Sequence, residues 1–367
     1  MKKYLSILIP FLISGCGHSQ IKEATNKLEL KNAITQKQAD LIFEKLKVFP
    51  ANTQVSIAII DGGVTKFYGV KREGDAMVAI ENQQSVYEIG SISKVFTSTL
   101  LADLIVLKKL ELNNEINDYL SVPLKDSTRI TFKQLANHTS GLPRLPSNLN
   151  MMFADPRNPY KDYDEKKLTE YLTNELKLAQ KPGEKYAYSN LGAGLLGYIV
   201  SKIDNTDYET LVSNKIFSKY QMTSSTTTRS KVESKLVKGL DAVGAECSNW
   251  DLAVLTGAGG VLSTAEDLSK FAIAHFDASN KVLELTRTRT HDINENMGIA
   301  MAWHLVKGAR GIEWPWHNGG TGGYSSSMAI ETKNRNAVVI LSNVSAFNKD
   351  RGNIDNLCFD LMNTLEE

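Results

Sequence analysis

Strand-like sequence lies at both ends of this chain and helix-like sequence fills its middle. Near the start, "VSIAII" and "VTKFYGV" flank Asp61-Gly62-Gly63, the pattern of a β-hairpin. Near the end, "MGIAMAWHLV", "YSSSMAIET" and "NAVVILSNV" have strand texture. Between them come helical patterns such as "ITFKQLANH", "EKKLTEYLTNELK", "LGAGLLGYIVSKI" and "TAEDLSKFAIAHF", separated by loops rich in Pro, Asn and Ser. Helical period also marks "TQKQADLIFEKLKVF" before Pro50, and "IDNLCFDLMNTLEE" at the end. The economical arrangement is α/β. One sheet draws strands from both ends, terminal helices cover it, and a mostly helical lobe is inserted between. The expected lobes are 35–112 with 286–365, and 113–285.

The N-terminus reads separately. Lys2 and Lys3 precede "YLSILIPFLI", which is too short to span a bilayer, and Ser14, Gly15 and Cys16 follow. "ISGC" resembles the lipobox of bacterial lipoproteins. Residues 1–15 are therefore expected to be a signal peptide, Cys16 the lipidated mature N-terminus and 16–34 a tether. The expected location is outside a bacterial membrane, lipid-anchored, on the periplasmic or extracellular side. With 42 basic and 41 acidic residues, nothing suggests a nucleic-acid partner. Cys247 and Cys358 are too few for a disulfide framework, and two free buried thiols are expected. Six scattered histidines offer no metal-binding spacing, so neither metal nor cofactor is expected.

Chemistry centres on "YEIGSISKVF". Ser91 and Lys94 are three residues apart at a helix start, so they share a face, with Cβ atoms about 5–6 Å apart. The lysine can point back toward the serine hydroxyl. Such spacing arises by chance, as it does at Ser19 and Lys22, and a plain helix cap would explain it. Two further stretches change the reading. Tyr188-Ser189-Asn190 directly precedes a small-residue helix, and a tyrosine beside a lysine ammonium would have a lowered pKa. "HNGGTGGYSSS" places His317, Gly319 and Gly320 at a strand, where so many glycines imply close approach by a ligand or another backbone. "LANHTSGLP" reads as a structural loop, with no chemistry assigned to His138.

In this order the motifs resemble the class C β-lactamases and their penicillin-binding relatives, which include D,D-peptidases, D-aminopeptidases and serine esterases. The resemblance covers about residues 35–365. Ser91-Ile92-Ser93-Lys94 matches the family's Ser-Xaa-Xaa-Lys, and Tyr188-Ser189-Asn190 its Tyr-Xaa-Asn. His317-Asn318-Gly319 falls where true lactamases carry Lys-Thr-Gly. The resemblance implies a serine hydrolase working through an acyl-enzyme. Ser91 would be the nucleophile and Lys94 its activator. Tyr188 would be the general base and later the acid, with Lys94 the other candidate for base. Asn190 would bind Lys94 and the substrate amide. The Ser91 and Gly320 N–H groups would form an oxyanion hole. His317, with Gly319, would meet the substrate carboxylate or the Tyr188 oxygen.

A histidine titrates near neutrality where a lysine stays charged, and Asn318 lacks the usual threonine hydroxyl. Both departures point away from strong β-lactamase activity. The substrates expected are D-alanyl peptides of peptidoglycan or, weakly, β-lactams. A serine esterase of the same fold and a non-catalytic, lipid-anchored binding protein are the alternatives. The Gly-Xaa-Ser-Xaa-Gly esterase elbow, Ser-Asp-Asn and His-Glu-Xaa-Xaa-His do not occur.

Overall fold

The computed structural model describes residues 23–30, 34–150, 152 and 154–366. At its centre lies a ten-stranded sheet. In chain order its strands are β1 (Thr25–Lys27), β2 (Gln54–Asp61), β3 (Val64–Glu73), β4 (Ala76–Ile80), β5 (His291–Asn294), β6 (Met297–Ala300), β7 (Trp303–Lys307), β8 (Glu313–Gly320), β9 (Ser325–Glu331) and β10 (Asn336–Ser342). They lie side by side as β1-β4-β3-β2-β10-β9-β8-β7-β6-β5. The seam between the two ends of the chain is β2 against β10, with Ile57 opposite Ile340. The hairpin expected around Gly62-Gly63 joins β2 to β3, and all neighbours are antiparallel except β1 with β4.

Side chains alternate across the sheet, and both faces are covered. On β2, Val55, Ile57 and Ile59 enter a core with α1 (Gln36–Leu46) and the last helix, while Ala58 and Ile60 enter the opposite one. The opposite core holds α2 (Ser93–Val106), α3 (Asn190–Ile203) and α4 (Ala265–Ala274). The last helix is α5 (Gly352–Thr364), which packs on α1 through Leu357 and Leu361. Thr35 and Gln38 close a reciprocal cap at the start of α1. Residues 93–102 of α2 are buried on every side, because the helix threads between the sheet and the helical lobe.

Two local features depart from the sequence reading. "MGIAMAWHLV" is two strands, because Met301 and Ala302 turn the chain between β6 and β7 with positive φ at both positions. Such turns usually carry Asn-Gly; here Ala302 N–H donates to Ala136 O at 2.8 Å, tying the turn to the helical lobe. Part of the segment expected to be a tether lies in the sheet as β1. Thr25 N–H donates to Asp75 O at 2.6 Å and Ala24 N–H to Lys47 O at 3.0 Å. An open sheet edge accepts any backbone, so exposed polar side chains give no sign of it. The signal segment and Cys16 lie outside the described residues. Cys247 and Cys358 are both free, Cys358 buried and Cys247 half-buried.

Candidate active site

Ser91 lies on a single tight turn, Gly90–Ile92, that leads into α2. Its hydroxyl caps nothing, since α2 starts at Ser93 behind Ile92 with no side-chain cap. Lys94, one turn on and 1% exposed, brings Nζ to 3.0 Å from Ser91 Oγ. The same nitrogen donates to Asn190 Oδ1 at 2.9 Å and to Ala258 O at 2.6 Å. Asn190 reaches Lys94 because it is the first residue of α3 and not its cap. Ser189 is the cap: its Oγ accepts from Gly192 N–H at 2.9 Å and donates to Pro143 O at 2.7 Å. Tyr188 is thereby fixed beside Lys94, whose Nζ lies 4.8 Å from the tyrosine ring centre.

Gly319 and Gly320 bring the end of β8 against the Ser91 turn. A Cβ on Gly319 would lie 1.9 Å from Ile89 O, and one on Gly90 (φ +51°) would lie 2.5 Å from Gly320 N. The close approach expected of these glycines is therefore made by another backbone. Ser91, Asn190, Gly320, Tyr160, Trp250 and Leu255 line the cleft above. Trp250 is held from behind by Glu88, whose Oε1 accepts from Trp250 N–H and Asn249 Nδ2 at 2.8 Å each.

His317 is 1% exposed and lies beside Tyr188. Its Nδ1 lies 2.6 Å from Asn318 O, so Nδ1 carries the proton and donates it. Its ring centre is 6.5 Å from that of Tyr188 and 5.3 Å from that of His304. Asn318, one residue on, faces the other side of the sheet and donates to Asp355 Oδ2 at 2.8 Å on α5. Strand alternation separates it from the cleft, so a hydroxyl there would not meet a substrate carboxylate.

Three residues assigned no chemistry from sequence surround Tyr188. His138, in left-handed backbone (φ 56°), accepts from Ser189 N–H at 3.2 Å and stacks on the Tyr188 ring. Arg144 holds its guanidinium carbon 5.2 Å from that ring. Tyr186 hydroxyl lies 2.8 Å from His304 Nε2. His138 and Arg144 sit within or beside "HTSGLP", the one signal that pointed to them.

The electrostatics follow from burial without carboxylates. Burial, helped by Arg144, holds the Lys94 amine well below its ordinary range. Burial holds His317 and His138 well below the ordinary imidazole value and His304 down to about 4. Enclosure pushes the Tyr188 phenol up to about 12, opposed by its hydrogen bond with Ser91 and by Arg144. This reverses the lowering expected for Tyr188, because burial of the phenol outweighs those two influences. Lys94 Nζ has three oxygen partners, Ser91 Oγ, Asn190 Oδ1 and Ala258 O. Among the described residues no group of three His, Cys, Asp or Glu side chains is placed to hold a metal ion.

A serine held 3.0 Å from a buried lysine nitrogen, on a turn against which a glycine-bearing strand packs, marks a serine hydrolase of the β-lactamase and transpeptidase fold. The sequence profile of the Beta-lactamase family matches residues 47–357, and the chain belongs to that family. It is 27% identical to the D-alanyl-D-alanine-carboxypeptidase/endopeptidase AmpH of Escherichia coli K12, over 86% of this chain and 84% of that protein. It is 24% identical to protein flp of Staphylococcus aureus MRSA252, over 85% of this chain and 64% of that one. Among solved structures, it resembles a penicillin-binding protein homologue from Pyrococcus abyssi, described as octameric (TM-score 0.76, 22% identity, 90% of this chain and 77% of that chain). It also resembles a class C β-lactamase from Rhodobacter sphaeroides (TM-score 0.74, 20% identity, 91% of this chain and all of that chain).

Proposed function

We propose that this chain is a D,D-peptidase-like hydrolase that cleaves the amide bond of D-alanyl peptides through an acyl-enzyme on Ser91 and turns over β-lactams slowly. The observation that carries it is Lys94 Nζ, 3.0 Å from Ser91 Oγ with its other contacts filled by Asn190 and Ala258. The Ser91 proton passes to the Lys94 lone pair as Oγ attacks the carbonyl carbon. The carbonyl oxygen becomes an anion facing the Ser91 and Gly320 N–H groups. On collapse the C–N bond breaks, and the leaving amine takes the proton from Lys94, with the Tyr188 hydroxyl as relay. Water then repeats the sequence on the ester and frees Ser91. Lys94 is the base in this account because burial disfavours its charged form, whereas burial favours a protonated Tyr188.

The lack of a cation at position 317 and the relationship to AmpH favour peptides over efficient β-lactam hydrolysis. A panel of nitrocefin, D-alanyl-D-alanine peptides and short acyl esters assayed side by side tests the substrate class. Peptide cleavage with slow nitrocefin turnover is expected, and ester cleavage alone would overturn the reading in favour of an esterase. Mass spectrometry with a β-lactam tests the nucleophile. An adduct on Ser91 that Ser91→Ala abolishes is expected; one that persists would sink the assignment and the catalytic reading with it.

The N-terminal "ISGC" supports export and lipid attachment at Cys16. Wild-type protein should incorporate labelled palmitate, and Cys16→Ser should not; an unlabelled wild type would end that part of the reading.

A further inference from the structure

The groups placed around Ser91 have a gap in their charge. Burial disfavours the charged forms of Lys94 and of the three histidines near Tyr188. Among the described residues no carboxylate is a main influence on Lys94, Tyr188, His138, His304 or His317. A D-alanyl peptide nonetheless presents a terminal carboxylate two bonds from the nitrogen that must leave. A site that takes it needs a cation beside the leaving-group acid, and His317 does not supply one.

Arg144 does. It follows Gly141-Leu142-Pro143 directly, and its side chain is exposed. The guanidinium carbon lies 5.2 Å from the Tyr188 ring centre, on the residue that relays the proton to the leaving amine. Among the described residues the guanidinium makes no ion pair and no side-chain hydrogen bond. An exposed arginine without an ion pair is common, but this one is tethered to the site. Its carbonyl accepts from Asn190 N–H at 3.0 Å and Leu191 N–H at 3.2 Å, at the start of the helix that presents Asn190 to Lys94. The position of the side chain is therefore coupled to the catalytic frame, while its planar fork stays free. That fork matches a carboxylate with two parallel N–H···O bonds, which a lysine cannot reproduce.

We propose that Arg144 grips the free α-carboxylate of the leaving amino acid, and so selects substrates cut at their C-terminal residue. The proposal rests on the peptide-hydrolase reading above and adds the residue that reads the leaving group. The occupant is a carboxylate on the leaving side of the scissile bond, whether an amino acid or a hydroxy acid carries it.

The test compares matched substrates on purified full-length protein. One pair is an acyl-D-alanyl-D-alanine peptide and its C-terminal amide. The other is an acyl ester of D-lactate and the same ester of D-lactamide. For each pair the quantity read is the ratio of kcat/KM, carboxylate over amide. Wild type should favour the carboxylate, and Arg144→Ala should lower the ratio by about tenfold or more, the loss of one charge-assisted pair. Arg144→Lys should restore part of it. An unchanged ratio in Arg144→Ala overturns the proposal. So does an equal loss on both members with a shifted pH profile, since Arg144 would then act only through Tyr188. If the ester pair shows an Arg144-dependent preference and the peptides are not cut, the carboxylate grip stands and the peptide reading falls. No preference for a carboxylate in the wild type overturns the grip even where peptides are cut. The exposed side chain makes misfolding an unexpected result; should Arg144→Ala melt early, Arg144→Gln carries the same comparison.

Discussion

The ring of His138 lies 4.4 Å from that of Tyr188, centre to centre, with 31° between their planes. The same histidine accepts the Ser189 N–H, so one side chain supports both the tyrosine and the turn that leads to Asn190. His138→Asn tests this, because asparagine tolerates the left-handed backbone and removes only the ring. The expected result is a loss of ~1–3 kcal/mol in stability, together with slower acylation of Ser91. Unchanged acylation kinetics with the stability loss would make the contact purely structural.

Lys94 bears on stability in a way that depends on pH. Its amine has a lowered pKa in the folded protein, while the unfolded chain takes the ordinary value of about 10.4. Between those values the unfolded state binds the extra proton, so the wild type gains stability as pH rises and the gain stops near the unfolded pKa. Lys94→Met lacks this group. The stability difference between wild type and Lys94→Met should therefore move in favour of wild type from pH 7 to about 10. Urea melts at three pH values measure it. A difference that stays flat with pH would mean that Lys94 is charged in the folded protein, and Tyr188 would then return as the base.

His317 carries the opposite expectation from a surface cation. With its pKa held well below the ordinary value by burial, it should leave no inflection specific to anionic substrates between about pH 6 and 8. Wild type and His317→Gln should give parallel kcat/KM profiles on anionic and neutral esters. Stability should respond at lower pH. As pH falls below about 6.5 the unfolded histidines take up protons that the buried ones cannot, so the wild type loses stability. The loss should be smaller in His317→Gln. An inflection on the anionic ester alone, missing from the variant, would restore His317 as the carboxylate partner.

Gly319→Ala should disturb the oxyanion side without touching Ser91 or Lys94. The added Cβ would meet Ile89 O at 1.9 Å, so strand and turn must separate. Overpacking of this kind costs about 1–3 kcal/mol. A shift of the Gly320 N–H by a fraction of an ångström should lower kcat on the order of 100-fold. Comparable kcat in the variant would show that Gly320 is not part of the oxyanion site.

Much of this molecule was readable from local pattern. Ser91 and Lys94 are neighbours by helix geometry alone, and the hairpin at Gly62-Gly63 and the strands of the C-terminal third announce themselves by composition. The convergence of Tyr188, Asn190 and Gly320 on Ser91 was legible only through their combined order, since no single spacing implies it. The charge states were not legible. A lysine beside a tyrosine suggests a phenolate, but burial lowers the lysine pKa and raises that of the phenol. Arg144 and Trp250 were missed because their roles come from how loops fold over the cleft, which periodicity does not encode. Met301-Ala302 was missed because a contact with Ala136 overrides ordinary turn chemistry.

The seam between β2 and β10 has a consequence for biosynthesis. A chain leaving the ribosome delivers the nucleophile and its amine early, and the glycine strand opposite them only after the helical lobe is complete. Until the last strands pair across that seam, Ser91 lacks the Gly320 backbone that the proposed oxyanion site requires. On the proposed mechanism, the unfinished protein carries the attacking groups without the means to stabilise what they make. Native pairings between residues so far apart in sequence form slowly, so reactivity arrives as a late event. A serine-directed label applied to chains stalled before residue 313 should find Ser91 silent, and its capture on release would time the closing of the sheet.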